Sequence, residues 1–154
     1  MIDTYLFHMP QYLSINRKLE TMHALTVNVS FGDCDPAGIV FYPNFFKWMD
    51  HAFHGWLRRF GGHSTLCAML QSVGIGLMDA SMRFQSPARD GDEIRVALEA
   101  AEWAPKTLTL TYRLTCGARP VAQGREVRGL FTRTETGIQA ADMMALRDLI
   151  AQRS

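Results

Sequence analysis

The chain has 154 residues, 47% of them hydrophobic and 20% charged, with a formal net charge of +1 and a pI near 7.8. That is enough to bury one substantial core, and it leaves no broad basic field for nucleic acid or an anionic membrane, so the expected partner is a small molecule. No run of about eighteen apolar residues is present, which excludes a transmembrane helix on length, and the three cysteines Cys34, Cys67 and Cys116 lack paired or metal-type spacing, which favours free thiols in a reducing, cytoplasmic setting.

The first 22 residues mix Asp3, His8, Pro10, Asn16, Arg17 and Glu20 with scattered apolar residues. They lack the basic start and continuous apolar centre of a secretion signal. They read as an N-terminal extension, with Met22 as an alternative start, and residues 23–154 as a single domain without repeats or linkers. Val27, Val29 and Phe31 then alternate with Thr26, Asn28 and Ser30, a period of two that predicts a half-buried strand ending near Asp33. Asp35-Pro36 followed by Gly38 is a strong turn signal.

Phe45, Trp48, Met49, Ala52, Phe53, Trp56, Leu57 and Phe60 recur at three- and four-residue spacing, with Lys47, His51, His54 and Arg58 mostly opposite. This predicts an amphipathic helix from Pro43 to about Phe60. Pro43 suits its first position and Gly61-Gly62 its stop. Past it, Ile75–Phe84, Glu93–Trp103, Leu108–Cys116 and Val121–Phe131 read as strands, separated by turns at residues 86–92, Ala104-Pro105 and residues 117–120. Asp142 to Ala151 predicts a short terminal helix. A strand, a long helix and an antiparallel meander form an α+β pattern in which the helix lies across one face of the sheet.

The turn before the helix is the place for chemistry. A helix start offers backbone N–H groups without intrahelical partners and a positive dipole end, which stabilise charge developing on a substrate oxygen. Asp35 stands beside that end, an arrangement suited to acyl transfer with the carboxylate as nucleophile or as general base on water.

From Gly32-Asp33-Cys34-Asp35-Pro36-Ala37-Gly38-Ile39-Val40 through Phe41-Tyr42-Pro43-Asn44, the sequence resembles the hotdog-fold acyl-CoA thioesterases, and within them the 4-hydroxybenzoyl-CoA thioesterase family. Trp48, Asp50, Gly74-Ile75-Gly76, Trp103 and Lys106 extend the resemblance over roughly His23 to Thr132. It implies an antiparallel five-stranded sheet wrapped around one long helix, and a homodimer or homotetramer with active sites at the subunit interface. It implies hydrolysis of an aromatic acyl-CoA, 4-hydroxybenzoyl-CoA or a related hydroxybenzoyl- or benzoyl-CoA, as in the breakdown of aromatic compounds, with no cofactor. Asp35 then falls at the catalytic position and the Tyr42 backbone N–H at the oxyanion position. Asp50 falls where an acid faces the aromatic acyl group. Phe41 and Trp48 are candidate pocket walls.

Each residue also has a plainer reading. Asp35 could be a turn-former ahead of Pro36 and Asp33 a hydrogen-bonding turn residue. Cys34, flanked by two carboxylates, would have its thiolate disfavoured and reads as a small packed residue rather than a nucleophile. His51 and His54 have helical spacing without further ligands, so no metal site is expected. The aromatic residues of the helix read as core. Lys106 is the expected CoA phosphate contact, but the pair of arginines that precedes it in the aryl-CoA thioesterase reads Ala104-Pro105 here, with Arg89, Arg128 and Arg133 as substitutes. Two further function readings are a thioesterase for short or medium aliphatic chains and a hotdog module that binds acyl-CoA without turnover.

Overall fold

The computed structural model describes residues 21–154; the expected extension at residues 1–22 therefore lies almost wholly outside the described residues. The elements run β1 His23–Asn28, α1 Pro43–Arg58, α2 His63–Met69, β2 Gly74–Phe84, β3 Glu93–Trp103, β4 Leu108–Cys116, β5 Arg119–Thr134, β6 Gly137–Ala140 and α3 Met143–Gln152, with one 3-10 turn at Phe31–Asp33. All strand pairs are antiparallel. Five strands follow the order β1-β3-β4-β5-β2, and β6 pairs with the end of β5 as a sixth.

The sheet closes around α1 because its inner face is apolar at alternate positions and small where the helix comes closest. Leu108, Leu110, Tyr112 and Leu114 of β4 are fully buried, as are Ile94, Val96 and Leu98 of β3. They meet Met49, Ala52, Phe53 and Leu57 of the helix, the stripe that the spacing of α1 predicts. At Gly124 in β5 a β-carbon would run into the Met49 sulfur, so the absence of a side chain there sets how near the helix lies. Register shifts at Leu77/Asp79, Leu98/Ala100 and Leu114/Thr115 add the local twist that lets such a sheet curl.

The expected five-stranded sheet around one helix is thus present, with three differences. β1 ends at Asn28 rather than near Asp33, because Ser30 and Asp33 close a capping box over the 3-10 turn. After Gly61 and Gly62, both at positive φ, the chain enters α2, an element to which the sequence pattern gives no assignment. β5 runs on to Thr134, and turns through Gly137 into β6. No helix among the described residues is long and apolar enough to cross a membrane.

Candidate active site

The segment between β1 and α1 is a compact turn built by its own side chains. Cys34 and Val40 form an isolated antiparallel bridge. Inside it the Asp35 N–H donates to Ile39 O, and the Gly38 N–H donates to Asp35 O, each at 2.9 Å. Pro36 occupies the second turn position, where its fixed φ is an asset, and Gly38 takes φ +75°, which a residue with a β-carbon adopts at a cost. Asp35 Oδ1 accepts the Ala37 N–H at 2.8 Å. The plainer reading of Asp35 as a turn-former therefore describes one oxygen. Its Oδ2 has no hydrogen-bond partner among the described residues.

Asp33 is committed differently: its Oδ2 accepts both the Ser30 N–H and the Ser30 hydroxyl, and its carbonyl takes the Phe41 N–H and the Asn44 side-chain amide, each at 2.9 Å. These bonds fix the approach to α1. Val40 N–H donates to Ala88 O at 2.8 Å, which ties the turn to the chain beyond β2. The next amide but one, at Tyr42, is the N-cap of α1 and has no acceptor among the described residues. An unpaired N–H at a helix start is a ready site for a developing oxyanion.

The uncommitted carboxylate oxygen and this amide belong to residues of one cavity of about 470 Å³. Ile39, Val40, Phe45, Phe84 and Pro87 supply apolar walls, and the Phe45 and Phe84 rings meet edge to face at 5.4 Å. Besides Asp35 and Tyr42, Gln85 and Ser86 supply its polar side chains. The Ser86 hydroxyl donates to Pro120 O and accepts from Arg119, whereas the Gln85 amide side chain has no partner among the described residues. Arg119 also donates to Pro87 O and to Asp92 Oδ2, so one guanidinium pins the whole wall. The Arg89 N–H and then Arg119 hold the Asp92 carboxyl below its ordinary value, which keeps that anchor ionised. Sequence reasoning had no signal for residues 84–88 as cavity wall beyond the Ser-Pro-Ala turn itself.

The other expected site residues lie outside this cavity. Trp48 is buried in the core with its edge on Phe45, and Phe41 is half-exposed, packed against Tyr42. Lys106 donates to Ala140 O at 3.0 Å. Asp50, eight residues into the helix system from Tyr42, accepts the Arg128 guanidinium at 2.9 Å. Arg128 is itself 2% exposed, bonds Glu126 at 2.9 Å, and lies 3.9 Å over the Phe53 ring. The Tyr112 hydroxyl donates to Glu126 at 2.8 Å, and burial, then the Glu126 charge, raises the phenol above its usual range. Arg128 is thereby spent within the core and is no free substitute for a phosphate contact.

A family model described as the thioesterase-like superfamily matches residues 29–147. The chain belongs to that superfamily. Among curated relatives it is 30% identical over 105 residues to a 1,4-dihydroxy-2-naphthoyl-CoA hydrolase of Synechococcus sp. (strain CC9311), covering 63% of this chain and 68% of that one. It is 30% identical over 81 residues to the 4-hydroxybenzoyl-CoA thioesterase of Pseudomonas sp. (strain CBS-3), covering 51% and 57%. Among solved structures, a gentisyl-coenzyme A thioesterase superposes with a TM-score of 0.67 at 28% identity, over 82% of this chain and 98% of the other. The Pseudomonas 4-hydroxybenzoyl-CoA thioesterase superposes with a TM-score of 0.71 at 24% identity, over 82% and 96%, a likeness of fold. The fold of this thioesterase is therefore the hotdog fold.

Proposed function

We propose that this thioesterase hydrolyses a hydroxylated aromatic acyl-CoA, with 4-hydroxybenzoyl-CoA or a related hydroxybenzoyl-CoA as substrate class, and that Asp35 and the Tyr42 N–H perform the chemistry. The observation that carries the reading is the presence, on one apolar cavity, of a carboxylate oxygen and a helix-start amide that both lack partners among the described residues. The named relatives act on CoA esters of hydroxylated aromatic acids. The Phe45 and Phe84 walls suit a flat ring, and the free Gln85 amide and Tyr42 hydroxyl suit its polar substituent.

In this mechanism the thioester carbonyl oxygen accepts the Tyr42 N–H, and that bond strengthens as the oxygen gains charge. Asp35 Oδ2 attacks the carbonyl carbon, giving an acyl-aspartyl anhydride that water then hydrolyses, or it takes a proton from a water that attacks instead. The carbon–sulfur bond breaks and CoA leaves as thiolate. A thiol-release assay over 4-hydroxybenzoyl-, benzoyl-, phenylacetyl-, acetyl- and hexanoyl-CoA tests the substrate class. The aromatic hydroxylated ester should have the highest kcat/KM; a higher value for hexanoyl- or acetyl-CoA contradicts the reading.

We also propose that the working unit is at least a dimer, paired along β2. That strand is an edge of the sheet, exposes Leu77, Met78 and Phe84, and ends at the cavity wall. A bare apolar edge of this kind calls for cover. Light scattering at micromolar concentration should give a multiple of the 17.4 kDa chain mass, and Leu77→Lys should lower it; a wild-type monomer contradicts the pairing.

A further inference from the structure

All four histidines among the described residues, His23, His51, His54 and His63, border one trough on the flank of α1 away from its apolar stripe. It consists of two adjoining hollows, of about 660 and 350 Å³, that share His54 and Arg58. Gly55 makes the larger one possible, because a β-carbon there would stand 2.5 Å from His23 Nε2. The trough gathers N–H donors whose one nearby carboxylate, that of Asp50, is shared with a cation of the core. The Arg58 guanidinium has no hydrogen bond or ion pair among the described residues. Asp50, 3.5 Å from His54 Nε2, already receives Arg128. His63 uses Nε2 to accept the Ile75 N–H, which leaves its proton on Nδ1.

No three His, Cys, Asp or Glu side chains among the described residues converge closely enough to hold a metal ion, so the chemistry is that of donors toward an anion. Burial, then Arg59 and Arg58, pushes the His23 imidazole below its ordinary pKa. Burial, then Arg128, His63 and Arg58, does so for His54, against the pull of Asp50. Burial is the main cause of both shifts, and Arg58 adds to each as a nearby positive charge that a bound anion would offset.

We propose that this trough binds a phosphate group, with the Arg58 guanidinium and the His51 and His54 imidazoles as its donors. Several donors spread around a hollow suit a tetrahedral anion with an oxygen for each, and a guanidinium fork presents two N–H groups to such a group at once. The phosphate belongs either to the CoA part of a thioester or to a separate phosphorylated small molecule. The site stands on its own residues and does not depend on Asp35 or on the aromatic substrate.

The test is titration with inorganic phosphate at constant ionic strength, following the imidazole resonances of His51 and His54 by NMR. Wild type should show saturable shifts and a rise in the His54 pKa, and exposed Arg58→Gln should bind about tenfold more weakly with an unchanged unfolding temperature. Absence of a saturable shift, or the same affinity in Arg58→Gln, overturns the proposal. Competition by CoA, with a raised KM in Arg58→Gln for a CoA thioester but not for its N-acetylcysteamine counterpart, assigns the phosphate to CoA. Phosphate binding that persists with CoA bound, and an unchanged KM, assigns it to a separate molecule.

Discussion

Two carboxylates, one in the turn ahead of α1 and one midway along it, have opposite fates. In that turn Asp35 spends one oxygen on the Ala37 N–H and leaves the other open, on a cavity also lined by Tyr42, whose amide has no acceptor among the described residues. Further along, Asp50 is bound to Arg128, which is bound to Glu126, which accepts from Tyr112. Buried polar groups that are fully paired hold a fold in register, whereas groups left unpaired beside a cavity keep their interaction energy for a ligand. Under the proposed function the same residue type is a reagent at one place and a fastener at the other, and its surroundings decide which.

Substitutions separate the two roles. Asp35→Asn should lower kcat by about 10²–10⁴-fold while the unfolding midpoint stays near that of wild type, as read by thiol release and thermal melting; near-normal turnover removes Asp35 from the chemistry. Arg128→Met should do the reverse, costing about 3–5 kcal/mol of stability because it leaves Glu126 buried without its cation. Urea unfolding measures this, and a cost below about 1 kcal/mol would show that the network fastens little. Gly38→Ala, at φ +75° in the Asp35 turn, should cost about 1–2 kcal/mol and lower kcat/KM by shifting Asp35. An unchanged kcat/KM would show that turn geometry does not place the carboxylate.

The smallest effect is that of pH. His23 and His54 have pKa values below the ordinary 6.5 in the fold, so the unfolded chain takes up protons first as pH falls through that value, and stability drops with it. Arg58 and Arg59 face His23, and Asp50, Arg58, Arg128 and His63 face His54. Melting temperatures between pH 7.5 and 5.5 should therefore fall, and a flat profile would show that neither imidazole is held back.

Much of the fold is readable from local patterns. β3 and β4 have the bounds that their turns predict, since Gly91-Asp92, Ala104-Pro105 and Gly117 each end a run of strand pairing. α1 begins at Pro43 and its apolar stripe is the core. α2 escapes because the two glycines that stop α1 also start a helix of only seven residues, too short to show a period. β6 escapes because Gly137–Ala140 is exposed throughout and carries no alternation. At the site, the Asp35 turn is legible from its Asp-Pro and Gly signals, whereas the Tyr42 amide is singled out by the family resemblance and not by spacing. The Asp50–Arg128 pair joins residues 78 apart in the chain, and the cavity wall at residues 84–88 meets the turn only through the Val40 to Ala88 bond. Contacts of that range leave no periodic trace.

The central claim, that the Tyr42 amide and Asp35 together form the reaction site, is tested most directly on Asp35→Asn protein, labelled with nitrogen-15 and titrated with 4-hydroxybenzoyl-CoA. With turnover slowed, the Tyr42 N–H resonance should move downfield and saturate as the thioester carbonyl occupies it. A Tyr42 resonance that stays in place while the ligand binds would contradict the account.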